Sequence, residues 1–337
     1  MKIFGHKQQR ESLRRLLNSG RLPASVIFSG VAGTGKLLVA RELARSMICE
    51  TAGEPAQSAY GGCGQCRSCR LFDSGNFPDF HLVQCLDRET WSVSAIRELL
   101  YALNLRAFSG SYRVVIFNDA ENLSLQAANA LLKTLEEPGS RTHFILVTSN
   151  HSRLPQTILS RCQIWFFDTL AAEDIKAALM QRIEDGEEDA QVLKRVSFDE
   201  VALLADGSLE GISHILKDLD FWQVIKQTLD NVHHGDLEKG FALARDLGKD
   251  KDRLRRRLNL MRICARKKMQ ESQEAAERSR WAIFLSNILY TERLVFERNI
   301  SAAYALNVSF LDLAAGPPLN SFTTLTNSAT LLERIIV

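Results

Sequence analysis

Apolar residues in this chain follow two rhythms, and the change from one to the other divides it. In the first half, short apolar runs recur at 26–28, 80–83, 113–117, 143–147 and 163–167. Runs of that length, rich in Val, Ile and Phe, predict buried strands. Between them apolar residues return every three or four positions, which predicts helices. Residues 6–19 place Leu13, Leu16 and Leu17 on one face, and residues 37–47 and 94–105 predict two further helices. Residues 124–137 align Ala128, Leu131, Leu132 and Leu135 and stop before Pro138. Strands alternating with helices predict a parallel sheet with helices on both faces. Ligands bind such sheets at the carboxyl ends of the strands.

After Phe167 the strand rhythm stops. From Leu170 onward only three- and four-residue spacing remains, so an all-helical region should follow the α/β domain, with the first boundary near Asp168. Ser197-Phe198-Asp199-Glu200 fits a capping box that opens a helix, and Gly207 is a plausible stop. Residues 215–337 read as further helices with one break at Pro317-Pro318, and no internal repeat is evident.

The first predicted strand runs into Gly30-Val31-Ala32-Gly33-Thr34-Gly35-Lys36, the spacing G-x-x-x-x-G-K of a phosphate-binding loop. Glycines let backbone N–H groups turn inward around phosphates, the lysine reaches the terminal phosphates, and the following helix lends its positive end. The next residue should be Ser or Thr, whose hydroxyl ligates Mg²⁺; here it is Leu37. A similar change marks the strand at 113–117. A phosphate-loop ATPase ends this strand in Asp for Mg²⁺ and then Glu to activate water, and here Asn118 and Asp119 stand in those places. An amide is a poor magnesium anchor, and Asp119 is one methylene shorter than the expected base. The cradle is compatible with nucleotide binding, which the sequence leaves open, but it lacks the parts for hydrolysis.

Composition changes this picture little. The chain has 337 residues, 45% apolar and 24% charged, with a formal net charge of +2. That length suits two or three domains, and near-neutrality neither demands nor excludes a nucleic-acid partner. No window approaches a membrane span, and the N-terminal residues lack the apolar core of a signal peptide, so the expected location is the cytoplasm. Seven cysteines in such a compartment are better read as ligands or core residues than as disulfides. Four of them form C-x13-C-x2-C-x2-C: Cys49, Cys63, Cys66 and Cys69, with Gly61, Gly62 and Gly64 supplying tight turns. Two successive C-x-x-C steps and a fourth thiolate predict a closed, structural tetrahedral Zn²⁺ site, an iron–sulfur cluster being the lesser alternative. Cys85, Cys162 and Cys264 are singletons and read as packing residues. The run Arg253–Lys268 is the most basic stretch; Leu254, Leu258, Met261 and Cys264 recur in it at helical spacing, which favours an amphipathic helix with a solvated basic face over a nucleic-acid footprint.

Two stretches carry a family resemblance. N-A-L-L-K-T-L-E-E-P at 129–138 and L-P-x-T-I-L-S-R-C at 154–162 resemble signatures of bacterial clamp-loader subunits, which are AAA+ proteins. The phosphate loop, the four-cysteine insert and Thr148-Ser149 fall in the family's order. The likeness is strong over residues 1–167, fair to about 220 and only architectural beyond. It implies an AAA+ parallel-sheet domain at 1–167 with a zinc-binding insert at about 49–70, a small helical lid at 168–220 and a helical collar, for oligomerisation, at 221–337. It also implies a degenerate nucleotide site made of Gly30, Gly33, Thr34, Gly35, Lys36, Leu37, Asn118, Asp119 and Thr148.

Within the family some subunits are ATP-driven motors and others, of the delta-prime type, have lost ATPase parts. Leu37, Asn118 and Asp119 depart from the motor pattern, and so does Glu210, near where motor subunits place an arginine that senses the γ-phosphate. The departures resemble the delta-prime type. The resemblance then implies that Arg161 of the Ser-Arg-Cys motif serves as a trans-acting finger for a neighbour's nucleotide. It implies partners too: gamma/tau and delta subunits in a hetero-pentamer that opens a sliding clamp and places it on primer-template DNA within the DNA polymerase III machinery. Two other readings stand beside it, an active motor subunit and a stand-alone zinc-dependent nucleic-acid-binding protein; the missing basic excess weighs against the second.

Overall fold

Alternate residues of the predicted strands are buried on opposite sides of a single sheet. The computed structural model describes residues 2–51, 60–84, 93–104, 112–185, 196–248 and 251–315. Cys85 and the Pro317-Pro318 break lie outside them. The chain forms two compact units, Met1–Ser213 and His214–Val337.

In the first unit the strands are β1 (Ser25–Ser29), β2 (Phe80–Val83), β3 (Arg113–Phe117), β4 (Thr142–Thr148) and β5 (Gln163–Phe166). All pairings are parallel, in the order β2-β3-β4-β1-β5. Val26, Phe28, Val114, Ile116, Ile145 and Val147 face one core, which includes Leu13 of α1 (Lys7–Asn18) and Val39, Leu43 and Met47 of α2 (Lys36–Ile48). Ile27, Val115, Phe117, Phe144 and Leu146 face the other, against α4 (Val93–Asn104), α5 (Leu125–Glu136) and α6 (Gln156–Leu159). The period-2 pleat thus feeds two cores at once, which is why the strands read as continuous apolar runs. A short helix, α3 (Arg67–Asp73), lies in the cysteine insert. The sheet is followed by α7 (Ala172–Glu184) and α8 (Phe198–Leu204). The Ser197 hydroxyl accepts the Glu200 amide as the N-cap of α8, and Gly207 takes a left-handed φ of 79° soon after its end. α9 (Leu209–His233) begins here and continues into the second unit.

That unit is helical: the rest of α9, then α10 (Leu237–Leu247), α11 (Lys251–Glu271), α12 (Ala275–Phe296) and α13 (Ala302–Ala315). Leu254, Leu258, Met261 and Cys264 are all buried, in accord with the amphipathic reading of the basic run. Its cations turn to this unit's own side chains. Arg255 pairs with Glu292 at 3.1 Å and lies over the Phe296 ring, Arg257 lies over Phe221, and Lys268 pairs with Asp230 at 2.7 Å. Cys162 in the first unit and Cys264 in the second are buried, and burial pushes both thiols up to about 12, as packing residues should be.

Candidate functional site

The strand order decides what meets at the carboxyl edge. β4 lies between β1 and β3, with Ser29 opposite Thr148 and Phe117 opposite Leu146. The loop after β1, the Asn118-Asp119 turn after β3 and Thr148 at the end of β4 therefore share one edge. They line a cavity of about 470 Å³ together with Lys36, Leu37, Arg182 and Glu210.

The phosphate loop is fully formed. Gly33 and Gly35 take left-handed φ values of 72° and 92° that side chains resist. Carbonyls of four successive residues accept hydrogen bonds. Val31 O accepts from Thr34 Oγ1 at 2.9 Å and from Lys36 Nζ at 2.6 Å. Ala32 O accepts from Ser208 Oγ at 2.8 Å, Gly33 O from the Leu209 amide at 3.0 Å, and Thr34 O from His6 Nε2 at 2.7 Å. Burial holds the His6 ring below its ordinary pKa, and because the Thr34 carbonyl can only accept, Nε2 carries the proton of this bond.

Charge around the lysine is the unusual feature. Lys36 is only 5% exposed, and burial lowers its ammonium to about 8 against the favourable fields of Glu121, Asp119 and Glu210. Three carboxylates already face this cation. Glu121 accepts the Ser149 amide at 3.0 Å and the Ser149 hydroxyl; burial works to raise its carboxyl, but bonds from Ser149 and Thr148 outweigh it and hold the pKa below the ordinary value. Asn118 Nδ2 donates to Asp119 Oδ2 at 2.8 Å, and Asp119 adopts a left-handed φ of 54°. Leu37 presents an aliphatic chain where a magnesium-ligating hydroxyl would stand. The arrangement can enclose a small polar group, but it offers Mg²⁺ neither hydroxyl nor carboxylate at the two customary places.

Ser149, named with Thr148 in the sequence, lines this edge as well. His6, Glu121, Arg182 and Ser208 also belong to it, and sequence reasoning did not assign them there. Only Glu121 left a trace, a third polar position in the turn after β3; the others arrive from distant segments with no local signature.

The four cysteines form the second site. Cys49 caps the end of α2, Cys66 caps the start of α3, Cys69 lies within α3, and all four sulfurs lie within 4.8 Å of one another. A zinc ion bonded at about 2.3 Å to a tetrahedron of thiolates needs sulfur separations of about 3.8 Å, so this cluster fits it. Backbone amides favour the thiolate form: Gln65 N and Cys66 N donate to Cys63 Sγ and lower its thiol to about 6. Burial instead raises Cys69 to about 12, so a thiolate there needs a cation beside it.

The third feature is Arg161, just after α6. Its Nε donates to Glu136 Oε2 at 3.0 Å and its Nη1 to Thr157 O at 3.1 Å. Glu136 belongs to the 129–138 stretch, so the two stretches that carry the resemblance meet in one ion pair.

A family model described as DNA polymerase III, delta subunit, matches residues 5–171. Over those residues, just under half of its length, the chain matches the family of DNA polymerase III clamp-loader subunits. It is 34% identical over 207 residues to DNA polymerase III subunit tau of Salmonella typhimurium, a match covering 61% of this chain and 31% of that one. It is 37% identical over 169 residues to subunit delta' of Bacillus subtilis, covering 49% and 48% of the two chains. Over 157 residues it is 36% identical to subunit delta' of Escherichia coli, covering 46% of each. The chain thus spans less than half the length of these relatives. Clamp-loader proteins of the tau and delta-prime types match alike, so the comparisons give the family and not the type of subunit.

Proposed function

We propose that this chain is a delta-prime-type subunit of a bacterial clamp loader, a ring member without ATPase activity of its own. The observation that carries this reading is the lysine of the phosphate loop, already faced by Asp119, Glu121 and Glu210. An incoming triphosphate brings several negative charges into the field of these carboxylates, with Leu37 and Asn118 unable to hold the Mg²⁺ that would offset them. The chain's part in loading is then structural and in trans. Arg161 would leave Glu136 for the γ-phosphate held by a neighbouring gamma/tau subunit, where a guanidinium stabilises the charge of phosphoryl transfer. Its present pairing is a surface one, with the arginine side chain 30% exposed and the glutamate 59%. Such pairs contribute about 0–1 kcal/mol, so releasing the finger costs little.

In this reading residues 1–167, 168–220 and 221–337 act as motor-like domain, lid and collar, and zinc bound by Cys49, Cys63, Cys66 and Cys69 holds the insert. The working site is the cytoplasm, with gamma/tau and delta subunits as ring partners and the sliding clamp and primed DNA reached through the complex. No helix among the described residues is long and apolar enough to cross a membrane. Likeness to subunit tau keeps one other reading in play, an active motor. Steady-state ATP turnover by the purified chain separates them. Background turnover is expected; turnover abolished by Lys36→Ala would establish the motor and overturn the proposal.

A further inference from the structure

The cysteine cluster is tied to α2 by one side chain that is not a ligand. Arg45 lies one turn before Cys49, and its guanidinium reaches two separate parts of the insert. Nη1 donates to the carbonyl of Gly61 and, at 3.4 Å, to that of Gly62, the two residues that lead into Cys63. Nε and Nη2 donate to the two oxygens of Asp73 at 2.8 and 2.6 Å, at the far end of the helix that carries Cys69. The fork therefore spans the approach to Cys63 and the exit from Cys69. Packing around it is close: a Cβ on Gly62 would fall 2.9 Å from Cys69 Sγ and 3.1 Å from Arg45 O, and one on Gly64 would fall 3.3 Å from Arg45 Nη2. Glycine at both positions, each with a left-handed φ, lets the insert settle against this arginine. Ser46, the next residue, accepts the Gly61 amide at 2.6 Å and fixes the same approach from a second point.

Charge gives the arrangement a purpose. Four thiolates around Zn²⁺ leave a centre with a net charge of about −2. Arg45 is a partly buried cation in the field of Cys69 and Cys49, and it is bonded to the backbone beside them. Groups that bond outside the ligand set of a metal orient the ligands and alter how tightly the metal is held.

We propose that Arg45 is the positioning residue of the metal centre: its fork clamps the two halves of the insert together and its charge offsets the thiolates, so it sets how long zinc stays bound. This rests on the zinc reading above.

The test uses the full purified chain and a metallochromic chelator, 4-(2-pyridylazo)resorcinol, in excess. Arg45→Ala is expected to release zinc about 10- to 100-fold faster than wild type, with unchanged helical signal in far-ultraviolet circular dichroism. Arg45→Lys restores a charge without the fork and should fall between the two. The cobalt-substituted protein supplies a readout that looser packing elsewhere would not move. Its thiolate-to-metal charge-transfer band should shift in Arg45→Ala and not in Arg14→Ala, an exposed control. Where Arg45→Ala does not fold, Asp73→Asn removes one side of the fork while keeping the cation, and release should still quicken. Wild-type release rates in the folded Arg45 variants, or in both Arg45→Lys and Asp73→Asn, would overturn the proposal. Failure of the zinc reading is distinguishable, because metal analysis of the wild-type chain would then find no zinc before any variant is made.

Discussion

Lys36 shows how one residue can keep its place in a motif while its surroundings change its use. In the folded chain its ammonium is buried and titrates near 8, whereas an unfolded chain would hold the proton to the ordinary 10.5. Between those values the unfolded state binds more protons, so stability rises with pH across that window. Below about pH 8 both states carry the charge, and the folded state bears the burial. Lys36→Met is therefore expected to raise the melting temperature by a few degrees at pH 7, an advantage that shrinks from pH 8 toward 10.5. Thermal melts at pH 7, 9 and 10 test this. A lower melting temperature for the variant at pH 7 would mean that the three carboxylates and the Val31 carbonyl outweigh desolvation.

The phosphate loop behaves as an element held from several sides. Gly30 and Gly33 mark its tightest approaches: a Cβ at Gly30 would fall 2.1 Å from Phe167 O, and one at Gly33 would fall 2.2 Å from Ser208 Oγ and 2.9 Å from the Glu210 amide. At Gly35 nothing lies within 4 Å. Both Gly33 and Gly35 have left-handed φ, so an alanine at either meets backbone strain of about 1–2 kcal/mol. Only Gly33→Ala adds a collision with the start of α9, and overpacking of that kind adds about 1–3 kcal/mol. Gly33→Ala should thus cost clearly more than Gly35→Ala in urea unfolding. Equal losses would show that residues 208–210 do not press on the loop in solution.

Arg161 is the residue whose role depends on the whole assembly. It buries little apolar surface and is paired at the surface, so Arg161→Ala should leave folding and ring assembly nearly unchanged. In the proposed ring it should lower DNA- and clamp-stimulated ATP turnover, because one neighbouring site loses a cation worth about 10³–10⁵ in rate in comparable systems. The loss should be partial, as other sites keep their own fingers. Lys should not restore it, since a point-like ammonium lacks the planar fork. Turnover and clamp loading by complexes carrying each variant, with assembly checked by gel filtration, decide the matter; wild-type rates from an intact Arg161→Ala complex would reduce the residue to its pairing with Glu136.

Much of this molecule was legible in its residue order because much of it is local. All five strands appeared as apolar runs, and each lies within about a residue of its prediction, as at Phe80–Val83 and Arg113–Phe117. The Ser197 cap, the buried face of the basic helix and the clustering of four cysteines likewise follow from spacing along a few turns of chain. What spacing could not supply is which distant segments come together. Ser208 reaches Ala32 across 176 positions and His6 reaches Thr34 across 28. Glu121 meets Ser149 at the adjoining ends of β3 and β4, and Arg45 grips Gly61 and Asp73 across the insert. Periodicity records which face of an element is buried; it carries no record of which strand lies beside which. The order β2-β3-β4-β1-β5 brings Asp119 and Glu121 beside Lys36, the start of α9 adds Glu210, and together they set the charge balance on which the proposed function rests.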